Sequence, residues 1–238
     1  MSVDVLAIGA HPDDADLGLG GTLLLLAAQG FSTAILDLSQ GEAASRGTAE
    51  ERLREADKSA RVLQVRQRYN AELPDGGLAN TPEQRLRVIP FIRALRPTVI
   101  LSHHPTDRHP DHAAAHDLVR DANFFAGVAS IETEEEPFRA PHVYLYHPYQ
   151  DSADAPAFVM DVSEFIERKL RALQNFKSQL HNPSYPGPQT FVSSPEFWEF
   201  ISTRAAYWGN RVGVAYGEPI YTSAPFALDY LPGLGIEG

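Results

Sequence analysis

The sequence predicts an α/β fold, a Rossmann-like and mostly parallel sheet with helices on both faces, folded as a single domain over residues 1–238. Three observations lead there. Short apolar runs of the kind buried parallel strands show alternate with stretches that open on helix-start signals. The first and fourth of these runs are each followed at once by a motif rich in histidine and aspartate, and open α/β sheets bind ligands beyond the carboxyl ends of their strands. A 238-residue chain that is 43% hydrophobic and 21% charged suits one sizeable core.

Taken in order, Val3 to Ile8 is the first strand and Gly9 ends it. Leu17 to Gln29 is a buried helix stopped by Gly30. Gly18, Gly20 and Gly21 in its start let it pack closely on the sheet. They are not a dinucleotide fingerprint, which needs G-x-G-x-x-G in the first turn, where this chain has His11-Pro12-Asp13-Asp14 and two carboxylates that repel a pyrophosphate. Phe31 to Leu38 is the second strand, Ser39 to Gly47 a loop of small residues, and Thr48 with Glu51 a capping box for a helix from Ala49 to about Leu63. Gln67 to Leu73 is a strand and Pro74-Asp75-Gly76-Gly77 a turn. Thr81-Pro82-Glu83-Gln84 then caps a helix reaching Leu95, in which Pro90 predicts a kink. Thr98 to Ser102 is the fourth strand, and the helix after it runs to Phe125. Glu132 to Glu136 is a solvated acidic loop. His142 to His147 and Ala157 to Val162 are strands, and Ser163 is expected to cap a helix with Ile166, Leu170, Leu173 and Phe176 on its apolar face. His181 to Gln189, with three prolines, reads as an irregular loop suited to a lid. Ser194-Pro195-Glu196 opens a last helix with Phe197, Ile201, Ala205 and Trp208 on one face.

Composition excludes several partner classes. Lys plus Arg total 20 against 31 Asp plus Glu, a net charge of -11 without a basic stripe, so nucleic acid and anionic membrane are poor partners. There is no cysteine, hence no disulfide and no thiolate metal site. The start lacks a basic n-region and an apolar h-region, and the apolar run Thr22 to Ala28 is far too short to span a bilayer, so a cytoplasmic location is expected.

Chemistry concentrates at the two motifs. His11 and Asp14 are three apart, so one turn of backbone can aim both at a single ion while Asp13 points elsewhere. Imidazole and carboxylate suit zinc, and a catalytic zinc takes a third protein ligand and keeps one position open. Asp107-Arg108-His109-Pro110-Asp111-His112 offers that ligand from an equivalent strand end. The first motif alone reads more readily as a helix start capped by Asp13 or Asp14. The second motif reverses that preference. His112 and His116, spaced i,i+4, are a competing pair, but a metalloprotease motif has glutamate directly after the first histidine, where this chain has Ala113. His116 is therefore read as structural or surface, and His103 and His104 as wall residues.

Ala10-His11-Pro12-Asp13-Asp14, Gly20-Gly21-Thr22, Asp37-Leu38-Ser39, Gly41-Glu42, Arg46-Gly47-Thr48 and the second motif resemble the zinc-dependent N-acetylglucosaminyl deacetylases of the LmbE and PIG-L superfamily. The pattern is most similar to the bacillithiol-pathway type, which acts on N-acetylglucosaminyl-malate, and it runs to Val212-Gly213-Val214-Ala215-Tyr216-Gly217-Glu218. The resemblance implies an amidohydrolase with a small N-acetylated sugar as substrate and a homo-oligomeric state, the latter also suggested by Phe197, Phe200, Tyr207 and Trp208 crowding one helix. His11, Asp14 and His112 are then the ligands of Zn2+, with Fe2+ able to substitute because no thiolate enforces zinc. Asp13 is the general base. By the same resemblance His109 stabilises the oxyanion, with Asp111 orienting it and favouring its cationic form. Glu42, Arg46 and Arg52 are expected to meet the acid-bearing sugar. Relatives carry a tyrosine early in the last helix where this chain has Phe197, which cannot donate a hydrogen bond, so Tyr185 in the proline-rich loop is the expected replacement. Two alternatives stand beside this reading: a deacetylase of another N-acyl amino sugar or chito-oligosaccharide, and a non-catalytic nucleotide-binding domain on the same fold, which Asp13 beside both motifs argues against.

Overall fold

In the computed structural model, which describes residues 2–151 and 153–227, strands and helices alternate through the first half of the chain. In chain order they are β1 (Val5–Gly9), α1 (Asp14–Ala28), β2 (Thr33–Ser39), α2 (Ala49–Val62), β3 (Gln67–Leu73), α3 (Pro82–Leu95), β4 (Val99–His103), α4 (Pro110–Ala126), β5 (His142–Tyr146), β6 (Phe158–Asp161), α5 (Ile166–Leu173), α6 (Pro195–Val212) and β7 (Gly217–Ile220). The first five strands form one sheet in the order β3-β2-β1-β4-β5, and every pairing in it is parallel. This is the expected α/β fold in a single domain.

Alternation along β1 shows why both faces need helices. Leu6 and Ile8 pack with Leu36, Ile100, Val88 and Ile92 of α3, and Leu118 and Val119 of α4. Val5 and Ala7 face the other way, onto Ile35, Leu101 and Leu19, Leu23 and Leu24 of α1. All five β1 residues are buried, which is why the strand reads as a continuous apolar run. The chain turns back between β1 and β4, so the crevice beyond their carboxyl ends is the topological switch point.

Caps expected at Thr48 and Thr81 are present, each hydroxyl accepting from the N–H three residues on. Three local expectations are corrected. α1 begins at Asp14 rather than Leu17, and Asp13 in its N-cap position makes no side-chain capping bond. Ser163 does not cap α5; Phe165 holds that position, and the Ser163 hydroxyl donates to Asp161 at 2.6 Å. α5 also ends at Leu173, so Phe176 is buried beyond it rather than on its face.

β6 and β7 pair antiparallel as a separate ribbon, and a bridge between Leu145 and Tyr221 ties its end to β5. β7 also sends Glu218 into the middle of α1, where its carboxylate accepts from the N–H groups of Gly21 at 2.9 Å and Thr22 at 2.7 Å. Lys169 of α5 completes the insertion, donating to Glu218 at 2.6 Å and to the Leu17 carbonyl at 2.6 Å. A Cβ at Gly21 would lie 2.7 Å from Val162 and 3.0 Å from Glu218, so the glycine serves close packing, as read from the sequence. No helix of the described residues is long and apolar enough to cross a membrane.

Candidate metal centre and active site

β1 and β4 end side by side, and the turns that leave them carry the two motifs to one place. Asp14, in the first turn of α1, is the hub. Its Oδ2 accepts from the His11 backbone N–H at 2.8 Å and lies 3.4 Å from His11 Nδ1; its Oδ1 lies 3.3 Å from His112 Nε2. His11, Asp14 and His112 are all buried and present donor atoms within 4.8 Å of one another.

Behind each imidazole stands a carboxylate. Asp107 Oδ2 is 3.2 Å from His112 Nδ1, while its Oδ1 accepts from the His109 N–H at 2.9 Å. His11 Nε2 lies 3.1 Å from Asp75 and 3.4 Å from Asp111. These pairings put the proton-bearing nitrogens outward and leave His11 Nδ1 and His112 Nε2 facing Asp14. That is the arrangement by which outer carboxylates fix the tautomer of metal-ligating histidines. Charge tells the same story: burial pushes the His112 imidazole down, but Asp14 and Asp107 outweigh it and hold its pKa at about 9. For His11 burial is likewise overcome, by Asp111, Asp14 and Asp75, and its pKa stands well above the ordinary value. Burial opposes ionisation of Asp14, yet His112 and His11 hold it well below the carboxylate range. The site recruits positive charge, and the donor set fits a divalent ion.

A second group, His11, His109 and Asp111, also has donors close enough for an ion. Its members are otherwise engaged. His109 is the N-cap of α4, its Nδ1 accepting from the Asp111 N–H at 3.2 Å. The Asp111 carboxylate accepts from Gly76 N–H at 2.7 Å and Leu78 N–H at 3.3 Å. Asp111 therefore does not orient His109, a correction to the sequence reading; it anchors the turn that brings Asp75 to His11. Nor is His109 favoured as a cation. With Nδ1 accepting, the proton belongs on Nε2, and burial together with the neighbouring His112 and His11 lowers its pKa.

Asp13 is buried, and burial raises its pKa against the pull of Arg52. Arg52 Nη2 lies 3.4 Å from Asp13 Oδ2, and its Nη1 donates to the Gly41 carbonyl at 3.0 Å. Gly41 has φ +70°, and a Cβ there would fall on the guanidinium, so glycine is required for Arg52 to reach Asp13. Arg52 thus pairs with Asp13 at the cleft wall instead of standing free for an acidic substrate. The other expected substrate contacts are corrected more strongly. Arg46 is a buried tether, its Nε donating to Ser178 O at 2.7 Å and Nη1 to Pro188 O at 3.3 Å. Exposed Glu42 accepts from the Asp75 N–H at 2.9 Å. The Tyr185 hydroxyl donates to Glu51 at 2.7 Å, with the Arg46 guanidinium 4.8 Å from its ring centroid, so it holds the proline-rich loop and is not in the cleft.

The cleft, about 380 Å³, is lined by His11, Asp13, Asp14, Arg52, His109, His112 and Tyr149 among others. Sequence reasoning gave no role to Asp107, Asp75 or Tyr149 and read His103 only as a wall residue. Asp107 sits inside the second motif, and Asp75 in the turn after β3, at the same sheet edge; both positions were signals. His103, the last residue of β4, is fully buried, accepts from the Ala10 N–H at 2.8 Å and stacks on His112 at 4.5 Å. Burial and His112 lower its pKa to about 4, so it is a neutral floor under His112. Tyr149 lies just after β5, and burial with Asp14 nearby raises its phenol to about 12.

Comparison with known proteins points the same way. A family profile described as "PIG-L: GlcNAc-PI de-N-acetylase" matches residues 6–123. A diacetylchitobiose deacetylase of Thermococcus kodakarensis is 31% identical over 232 residues, covering 91% of this chain and 81% of its own. The chain belongs to the PIG-L deacetylase family. Within the PIG-L fold, the crystal structure of a conserved protein from Thermus thermophilus superposes with a TM-score of 0.85 at 39% identity, covering 97% of this chain and 98% of that one. A 4-oxalmesaconate hydratase of Pseudomonas putida is 25% identical over 191 residues, 74% of each chain, so a relative of this PIG-L protein bears the name of a hydratase. The deacetylase relatives make this chain an amidohydrolase of the PIG-L type.

Proposed function

We propose that the chain removes the acetyl group from the N-acetylglucosamine unit of a small conjugate, with a divalent ion, zinc or ferrous iron, held by His11, Asp14 and His112. The observation that carries this is the pairing of each imidazole with an outer carboxylate, Asp107 at 3.2 Å from His112 and Asp75 at 3.1 Å from His11, which turns both free nitrogens toward Asp14. When bound there, the ion supplies Lewis acidity, polarising the acetamide carbonyl and making water easier to deprotonate.

The chain's own groups do the rest. Asp13, its basicity raised by burial and its orientation held by Arg52, takes the proton from the attacking water and returns it to the departing amine. His109 offers Nε2–H to the carbonyl oxygen as negative charge develops on it; a neutral donor suffices, because what matters is a pre-aimed N–H in a water-poor cleft. Tyr149, protonated at neutral pH and lining the same cleft, is the hydroxyl we assign in place of Tyr185.

The test is to incubate metal-loaded protein with N-acetylglucosamine, N,N'-diacetylchitobiose and N-acetylglucosaminyl-malate and titrate acetate and free amine. Equal amounts of both are expected. No acetate from any of them, with hydration of a 4-oxalmesaconate-type acid instead, would overturn the reading. The malate conjugate is the second reading, favoured by Arg108 beside the cleft, a cation able to meet one carboxylate. We also propose a homo-oligomer, supported by the exposed Tyr207; Phe197 and Trp208 are buried within the chain and need no partner.

A further inference from the structure

β5 ends beside the loop that carries the second motif, and the residue following that strand is a histidine to which the chemistry above gives no part. His147 is 1% exposed, and neither of its ring nitrogens makes a hydrogen bond among the described residues. Its Nδ1 lies 3.6 Å from Asp107 Oδ2, the same oxygen that faces His112 Nδ1 at 3.2 Å. A carboxylate only accepts, so the His147 proton belongs on Nδ1. Two imidazoles therefore turn N–H groups toward one carboxylate oxygen, while the other oxygen accepts from the His109 N–H at 2.9 Å.

His147 is held from several directions. The parallel ladder pairs His103 with Tyr146, and the His104 N–H continues it to the Tyr146 carbonyl at 2.9 Å, which joins the end of β5 to the start of the motif loop. The His104 ring lies 4.4 Å from that of His147, its own Nδ1 accepting from the Thr106 N–H at 3.1 Å. Tyr221, bonded to Leu145 through both backbone groups at 2.8 Å, sets its ring edge-on to His147 at 5.3 Å. Packing alone does not account for a histidine here, because an apolar ring would fill the same space without burying two nitrogens.

We infer that His147 is a positioning residue for the metal centre, its Nδ1–H steadying Asp107 so that Oδ2 stays aligned on His112. The inference rests on the proposed ligand set. The Asp107 side chain is 1% exposed, so bulk water does not replace an N–H removed from it, and a carboxylate short of a donor turns to find another. The outer partner of His112 is then misaimed although the ligand itself is untouched.

The test sets metal affinity against stability in one series of variants. Asparagine carries an N–H close to the place of histidine Nδ1 but leaves part of the ring's volume empty; glutamine fills more of that volume and carries its N–H close to the place of Nε2. Competition for zinc with a chromophoric chelator gives the affinity, and urea unfolding of the metal-free chain gives the stability. His147→Asn is expected to bind zinc within about twofold of wild type although it is less stable, and His147→Gln and His147→Leu are each expected to lose about tenfold in affinity. Tyr221→Phe, which removes a buried hydroxyl that makes no hydrogen bond, is expected to leave the affinity unchanged. Wild-type affinity in both His147→Gln and His147→Leu overturns the inference. So does an equal loss in all three His147 variants, or a loss that follows their stability, since either makes His147 a packing residue. Should His147→Leu fail to fold, the contrast between asparagine and glutamine decides the matter. His112→Ala keeps the two readings apart: zinc lost there, with affinity unchanged in His147→Gln, overturns the inference alone, whereas zinc retained in His112→Ala removes the ligand set and the inference with it.

Discussion

Asp107→Asn isolates the outer carboxylate of the proposed metal centre. One oxygen of Asp107 accepts from the His109 N–H at 2.9 Å, a bond that the amide oxygen of asparagine can keep. The other faces His112 Nδ1 at 3.2 Å, and replacing it by NH2 presents a donor to what must be a donor. His112 then prefers the tautomer with its proton on Nε2, the nitrogen that faces Asp14. Loss of such an outer partner typically costs about 10- to 100-fold in metal affinity, or ~1.4 to 2.7 kcal/mol. Protons complicate the reading in a usable way. The folded, metal-free His112 has its pKa raised to about 9, so below that pH an ion must displace a proton and wild-type affinity rises with pH until about 9. The raised value also means that His112 stabilises the metal-free fold below its unfolded pKa and loses that contribution as pH climbs through about 9. Removing Asp107 lowers the pKa and with it the proton competition. The deficit is therefore expected to be partly masked near neutral pH and full above about pH 9. Competition with a chromophoric chelator at both pH values, on the same protein batches, measures it. Wild-type affinity at high pH in Asp107→Asn would refute the proposed role of the carboxylate.

Asp13→Asn should retain one ion per chain yet lose about 100-fold or more in kcat, and near wild-type turnover would mean that another group is the base. His109→Ala should keep the ion and slow the chemistry, whereas metal loss, read by elemental analysis, would make His109 a ligand. Tyr149→Phe is expected to lower kcat by up to about 100-fold with little change in KM, and Tyr185→Phe to leave kcat alone; the opposite ranking would restore the loop donor. Lys169→Met leaves Glu218 buried without its cation and should cost about 3 kcal/mol or more in urea unfolding, against less than about 1 kcal/mol for Arg54→Met in the exposed Arg54–Glu50 pair.

The parts of the site that could be read from sequence are those tied to strand ends. Ile8 and Ser102 close apolar runs, and parallel-sheet topology brings the turns after them to one edge, so the meeting of the two motifs was legible without coordinates, while the choice of His112 within the second came from the family resemblance. Roles set by capping geometry were not. Asp111 lies two residues after His109, yet its own N–H occupies the His109 ring while its carboxylate turns to Gly76, a choice made by α4 starting at Pro110. Which tyrosine enters the cleft was equally hidden. Tyr149 and Tyr185 both lie in irregular segments, and only packing against Phe197 draws the first inward while Glu51 holds the second outside. Arg46 and Arg52 look alike in sequence, six residues apart; the tertiary partners Ser178 and Asp13 separate a loop tether from a residue paired with the proposed base.

The hydrogen bond from Gly21 to Glu218 joins residues 197 positions apart. On the ribosome this means that the helix carrying Asp14 waits, its middle N–H groups and the Leu17 carbonyl lacking their side-chain partners, until nearly the whole chain has emerged. The residues proposed to hold the ion end at His112, but α1, which bears Asp14, is tied through Leu17, Gly21 and Thr22 to α5 and β7. A nascent or proteolytically clipped chain ending before Glu218 would carry all three proposed ligands and still lack the carboxylate that accepts from the opened turn of α1.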